Sequence, residues 1–160
     1  MSRGPTERHS VRVLLLDEDD RLLLFRGEDP ETGAPFWFPA GGGVGDGEDV
    51  FTAAARELAE ETGLVDVPLG SEVWRRRHVF TWRGIEWDQR ERWFVARVAH
   101  FEPDGQAMST AEKADLKAWR WWTGEELASA ADDLVPRDLA ARLRRLLADG
   151  PPSAPIDIGI

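Results

Sequence analysis

Three carboxylates crowd the stretch "ARELAEETGL", Ala55 to Leu64: Glu57, Glu60 and Glu61. At about 100° of rotation per residue, a helix here gathers them into a sector of roughly 100°. Like charges at that spacing cost roughly 0.2–0.5 kcal/mol per pair, so a short helix needs a reason to carry them. A hard divalent cation supplies one, because magnesium takes oxygen ligands, keeps several waters and is completed by substrate phosphates. The bland alternative is a solvated acidic helix face. The run just before, "GGGVGDGE", bears on that choice with five glycines in eight positions. Glycine lets a ligand approach the main chain closely, and amides near a helix N-terminus meet phosphate. Carboxylates one turn beyond such a loop point to a metal–phosphate site.

The elements that must position these groups follow from pattern. A helix is predicted from about Asp49 to Thr62, with Phe51, Ala55, Leu58 and Thr62 as its packed face and the glutamates opposite. Gly63 suits the left-handed residue past the C-cap, with Leu64 folding back onto Leu58 or Ala59. Arg56 lies at i,i+4 to Glu60 and can hold that carboxylate. Upstream, Val11–Leu16 reads as a strand, 17–20 as a charged turn and Arg21–Arg26 as the hairpin partner. The proline- and glycine-rich run from Gly27 to Asp49 reads as a loop with a short extended piece at Phe36–Phe38.

Downstream, 67–99 holds two long strand-type segments broken near "RGIE", and alternation puts Trp74, Arg76, His78, Phe80 and Trp82 on one face. After a polar stretch, "AWRWWT" reads as a strand whose Thr123 caps a helix, with Glu126 at capping-box spacing. Pro136–Ala148 is an amphipathic helix with Leu139, Leu143, Leu146 and Leu147 on one stripe. Strands dominate and helices lie apart from them, so the class is α+β. We expect a loose terminus over 1–9, one domain over 10–149 and a proline-rich tail over 150–160.

Composition removes several classes of function. The 160 residues carry 30 acidic and 20 basic side chains, a formal charge of −10. That balance argues against a binder of duplex nucleic acid or anionic membranes, while permitting one of metal-complexed phosphates. The absence of cysteine excludes a disulfide framework, a thiolate zinc site and a cysteine nucleophile. No run approaches the ~18 apolar residues of a membrane span, and no targeting signal is visible, so the expectation is a cytoplasmic protein.

The residues also match a family pattern. The Nudix box is a glycine, five residues, a glutamate, seven residues, then Arg-Glu-apolar-any-Glu-Glu-any-Gly-apolar. Here it reads Gly42, "GVGDG", Glu48, "DVFTAAA", then Arg56, Glu57, Leu58, Ala59, Glu60, Glu61, Thr62, Gly63 and Leu64, with every fixed position filled over 23 residues. The chain thus resembles the Nudix hydrolases. The resemblance implies a mixed β-sheet sandwiched between α-helices and a magnesium- or manganese-dependent hydrolysis of a nucleoside diphosphate linked to another group. By position, Glu57, Glu60 and Glu61 resemble the metal-ligand and water-activating glutamates. Gly42 resembles the residue whose carbonyl joins the metal shell, and Arg56 and Glu48 the pair that orients the glutamates. Relatives often add an acidic residue from a later loop; Glu112 is the choice here, with Glu86 and Glu91 as rivals. Two local departures, Gly45-Asp46 and Pro39-Ala40-Gly41, touch no fixed position of the box.

Substrate choice lies outside the box. The chain has 8 Trp and 7 Phe without a Tyr, most of them needed for core or sheet. Trp37, beside the glycine run, and the face carrying Arg76 and Phe80 are the candidates for gripping base and phosphate. The plain reading of "WRRRH" is an exposed strand with snorkelling arginines, and His78 reads as a polar strand residue. The tryptophans of "RWWTGEEL" read as packing. Three functions compete: a metal-dependent pyrophosphatase of a nucleotide, dinucleoside polyphosphate, ADP-ribose or nucleotide sugar, a non-catalytic nucleotide sensor on the same fold, and an interaction domain whose arginine–tryptophan surface meets an acidic partner. A homodimer through a sheet edge or the leucine-bearing helix stays open.

Overall fold

The computed structural model describes residues 4–105, 108, 110, 113, 116 and 118–159. Among them the chain forms β1 (Thr6–Leu16), β2 (Leu22–Glu28), β3 (Pro35–Phe38), β4 (Ala40–Gly43), α1 (Val50–Thr62), β5 (Glu72–Trp82), β6 (Ile85–Arg97), β7 (Ala118–Trp122), α2 (Gly124–Ala128), β8 (Asp133–Leu134), α3 (Leu139–Asp149) and β9 (Ile156–Asp157). The strands make one mixed sheet in the order β8-β3-β2-β1-β6-β5-β9, with β4 on β1 and β7 on β2. Alternation along β1 divides the core. Val11, Val13 and Leu15 pack toward Ala53, Ala54 and Leu58 of α1. Leu14 and Leu16 pack toward Leu127 of α2 and Leu139, Leu143 and Leu146 of α3. The result is a sheet between helices, of α+β class. No helix among the described residues is long and apolar enough to cross a membrane.

Local chemistry explains most boundaries. The Asp49 side chain accepts from Phe51 N and starts α1, while Gly63, at φ 78°, ends it with its N–H on Ala59 O. Arg83 and Gly84, at φ 52° and 79°, form a two-residue turn that matches the twist of the β5–β6 hairpin. Thr123 and Glu126 exchange both bonds of a capping box at the head of α2.

Several elements differ from the sequence reading. The glycines expected in a loop include a strand: Gly41, Gly42 and Gly43 of β4 pair with Arg12, Val11 and Ser10 of β1. A Cβ at Gly41, whose φ is 141°, would run into the Val11 carbonyl, so glycine is what lets these backbones meet. The packed face of α1 is also rotated from the expected one. Phe51 is 54% exposed and Ala55 is exposed as well, whereas Glu57 and Glu61 are buried beside Ala53, Ala54 and Leu58. The β1–β2 pairing reaches only Leu16↔Leu22, since β2 turns away to β3 and β7. At the termini, β1 begins at Thr6 against Trp87 of β6, and Ile156 and Asp157 add to β5 while Ile158 enters the core.

Candidate active site

Glu57 and Glu61 reach the sheet across the glycines of β4. Glu57 is 7% exposed and Glu61 only 2%. A Cβ on Gly42 would lie 2.5 Å from the Glu57 carboxyl carbon, so only glycine lets that carboxylate rest against the main chain. Glu61 is oriented by the same strand, accepting from Gly41 N at 2.9 Å. Burial of two carboxylates, rather than their exposure, is what distinguishes this helix face from a solvated one.

A second set of contacts fixes the cluster from outside. Arg56 donates through Nε and Nη2 to the two oxygens of Glu48, through Nη2 to Gly43 O, and through Nη1 to Glu57 Oε1 at 3.0 Å. Glu60 faces the same guanidinium at 3.6 Å. The paired guanidinium, helped by the Gly45 N–H, holds the Glu48 carboxyl down to about 2. Glu48 in turn raises the pKa of Arg56 beyond its ordinary value. One guanidinium therefore ties the loop before α1, the end of β4 and two helix glutamates into a fixed arrangement.

The carboxylates border a cleft of about 570 Å³ on the α3 face of the sheet, within the range of small-ligand sites. Gly42, Glu57, Glu61, Arg76 and Phe80 all line it. Trp37 does not: its ring packs edge-on to Trp122 at 5.1 Å and its Nε1 donates to Asp132, while its neighbours Phe36 and Phe38 face the cleft. Arg76 is ion-paired with Glu91 at 3.1 Å in the cleft floor. Glu91 is 4% exposed, whereas Glu86 is exposed. Glu112 lies outside the described residues. His78 stacks on Phe80 at 4.7 Å, and burial, then Arg76, pushes its pKa down, so it meets the cleft as a neutral ring at pH 7.

Arg8, Arg12, Gln89, Trp82 and Trp87 also line the cleft. Sequence reasoning missed Arg8 because residues 1–9 read as loose. Extending the alternation of β1 back from Arg12 was the signal that could have found it.

The donor set fits a hard divalent cation: carboxylates, a glycine carbonyl and no sulfur or imidazole among the residues of the box. Among the described residues no three Asp, Glu or His side chains are already gathered into a cage. Magnesium requires none, since it is commonly held by one or two carboxylates plus substrate phosphates.

Carboxylates seated on a glycine backbone beside an arginine-lined cleft suit the binding of a metal-complexed phosphate. Comparison with known proteins gives the family. The NUDIX domain family model matches residues 6–147, and the chain belongs to the Nudix family. It is 31% identical over 144 residues to an RNA pyrophosphohydrolase of Novosphingobium aromaticivorans, covering 83% of this chain and 86% of that one. It is 32% identical over 142 residues to Nudix hydrolase 25 of Arabidopsis thaliana, covering 81% and 79%. Among solved structures, the MutT protein from Methanosarcina mazei Go1 superposes with a TM-score of 0.70 at 23% identity, covering 90% of this chain and 97% of that one. That likeness bears on the fold alone. Nudix hydrolases generally need a divalent metal.

Proposed function

We propose that this chain hydrolyses a pyrophosphate bond within a nucleotide substrate, with Mg2+ or Mn2+ held by Glu57, Glu60 and Glu61 and the Gly42 carbonyl. The observation that carries this reading is the buried Glu57 carboxylate, pressed on Gly42 and gripped by Arg56 at the wall of the cleft. When bound, the cation neutralises charge developing on the phosphate oxygens and lowers the pKa of a coordinated water. The chain's own residues do the rest. Glu57 accepts or relays the proton of the attacking water. Arg56 and Glu48 hold Glu57 in one rotamer, and Gly41 holds Glu61. Phe80 and the neutral His78 offer ring surface to a base, and Arg8 and Arg12 offer charge to phosphates.

The substrate class is a nucleotide-terminated polyphosphate, either free or at the 5′ end of an RNA; RNA is the substrate named for the relative in N. aromaticivorans. A formal charge of −10 opposes long contacts with a nucleic-acid backbone, so any RNA would be engaged at its terminus. The test is a panel of nucleoside triphosphates, dinucleoside tetraphosphate, ADP-ribose, nucleotide sugars and 5′-triphosphorylated oligonucleotides, each with Mg2+, Mn2+ or a chelator, products being identified by mass. Metal-dependent cleavage is expected, releasing pyrophosphate or phosphate from the triphosphates and two phosphorylated fragments from the other substrates, and the free and RNA-linked arms separate the two sources. Turnover undiminished by the chelator would overturn the metal reading. Tight binding without turnover across the panel would favour the sensor.

A further inference from the structure

The arginines of the central sheet divide into two kinds. Arg76, Arg77 and Arg92 each meet a carboxylate, at 3.1, 2.9 and 2.6 Å. Arg8 and Arg12, four residues apart on the cleft face of β1, have no carboxylate within 4.0 Å among the described residues. Arg12 donates to Pro39 O at 3.3 Å, and Arg8 Nη1 donates to the neutral amide oxygen of Gln89, also at 3.3 Å. Both arginines are half-buried. Arg8 lies hard against β4, where a Cβ on Gly43 would be 3.1 Å from its Nη2. Burial, and then repulsion by Arg12, lowers the Arg8 pKa from its usual value, against the pull of Glu57 and Glu91. In a chain with 30 acidic residues, two partly desolvated cations without an ion-pair partner leave a local demand for an anion.

The orientation of Gln89 comes from its other side. Glu91 accepts from Arg76 Nη1 at 3.1 Å, from Trp93 Nε1 at 3.2 Å and from Gln89 Nε2 at 2.5 Å. An ionised carboxylate only accepts, so it takes the amide NH2 and turns the amide oxygen toward Arg8. Register delivers the set: β6 places Gln89 opposite Arg8 and Glu91 opposite Ser10, while β5 places Arg76 opposite Glu91. A glutamate at 89 would lose the bond to Glu91, since two carboxylates cannot share it, and would put a negative charge against Arg8 that cancels its own.

We infer that Glu91 and Gln89 are positioning residues that aim Arg8 without neutralising it, so that Arg8 and Arg12 together grip phosphates beyond the two that flank the bond cleaved. The favoured substrates then carry three or more consecutive phosphates, since two guanidiniums are matched by several phosphate oxygens and not by an uncharged sugar. This rests on the pyrophosphohydrolase reading above for the identity of the reacting bond, while the anion grip itself is measurable without turnover.

The probe is inorganic tripolyphosphate, titrated calorimetrically into the full chain, alongside kinetics on a dinucleoside tetraphosphate and on ADP-ribose. Gln89→Glu is expected to weaken tripolyphosphate binding about 10- to 100-fold, the worth of a hydrogen-bonded charge. It should raise KM for the tetraphosphate by a similar factor, move kcat less than about threefold, and leave the KM for ADP-ribose far less altered. Gln89→Met, which loses the anchor but keeps the Arg8 charge, should give a smaller loss in the same direction, as should Glu91→Gln. These two titrations decide the matter if Gln89→Glu does not fold. Unchanged tripolyphosphate binding in the folded variants would overturn the inference, as would an equal loss on the tetraphosphate and on ADP-ribose. If the parent protein turned over no substrate while binding tripolyphosphate through Gln89-dependent contacts, the pyrophosphohydrolase reading would fall and the grip would stand.

Discussion

Asp17 and Glu57 are both buried carboxylates beside β1, and they are buried for opposite purposes. Asp17, just past the end of the strand, is wholly enclosed. It accepts from Asp19 N, Arg21 N, Arg21 Nε and His100 Nδ1, so its own turn and the segment after β6 converge on it. Glu57 takes its charged partner from the preceding residue of its own helix and keeps its carboxyl on a glycine backbone at the cleft wall. A carboxylate whose lone pairs are claimed from every side closes a turn. One that borders a cleft, beside cations that carry no ion-pair partner among the described residues, is arranged for chemistry. Burial alone does not separate the two; the company each keeps does.

The largest effect that would sharpen this contrast is on rate. Glu57→Gln keeps shape and removes charge, and is expected to cut metal-dependent turnover about 10²- to 10⁴-fold, the usual share of a general base. Thermal stability should stay close to that of the parent, because the amide oxygen can still accept from Arg56. Steady-state kinetics beside a melting curve check both halves, and full activity in this variant would remove Glu57 from the reaction.

Asp17→Asn is the reverse experiment. Its amide presents N–H groups to donors that need acceptors, which leaves polar groups unsatisfied in a buried turn. Arg21 and His100 are partly in solvent, which holds the cost to about 2 kcal/mol, less than for a fully dry pair. In a domain of this length that is a fall of roughly 4–8 °C in Tm, with kcat/KM unchanged on the best substrate of the panel. Loss of activity without loss of stability would mean that the two ends of β1 are coupled, and the contrast would fail.

Legibility in the sequence follows the same division between local and distant causes. The C-cap and span of α1 were readable, since Gly63 and the 3.6-residue period act within one element. Its buried face was not. Leu58 and Thr62 are inside as expected, yet Phe51 is out and Glu57 is in, because the helix is rotated to set its carboxylates on Gly41 and Gly42. The strand β4 read as a loop because glycine has low strand propensity, and its extended form is imposed by β1. Alternation put Arg76 and Phe80 on one face of their strand, and both line the cleft. Trp37 went to the core because a four-residue strand does not reveal from its own pattern which neighbour lies on which side. The meeting of Arg8, Gln89 and Arg76 depends on a parallel register between strands about 80 residues apart in the chain, which no local signal carries.

The smallest effect concerns acid, and it tests whether the outer brace of the Glu57 cluster behaves as structure or as chemistry. The Glu48 carboxyl is held down to about 2 in the folded protein, against 4.5 for an ordinary glutamate, by Arg56 and the Gly45 N–H. A folded-state pKa below the unfolded one means that the unfolded chain binds the proton first as pH falls. The stabilisation is therefore complete above about pH 4.5 and drains away between there and about pH 2. Asp17, also lowered because its hydrogen bonds from Arg21 and His100 outweigh its burial, adds an acid loss of the same sign below its ordinary value of 3.8. Glu48→Gln should flatten the fall of Tm between pH 4.5 and 2.5 slightly, because Arg56 and its partners sit near solvent, and should leave Tm at pH 7 almost unmoved. Its effect on turnover at pH 7 should be larger than its effect on Tm, because Arg56 loses the acceptor that aims it at Glu57. A Glu48→Gln protein that lost stability at neutral pH but kept full kcat would place this brace with Asp17, on the structural side of the comparison.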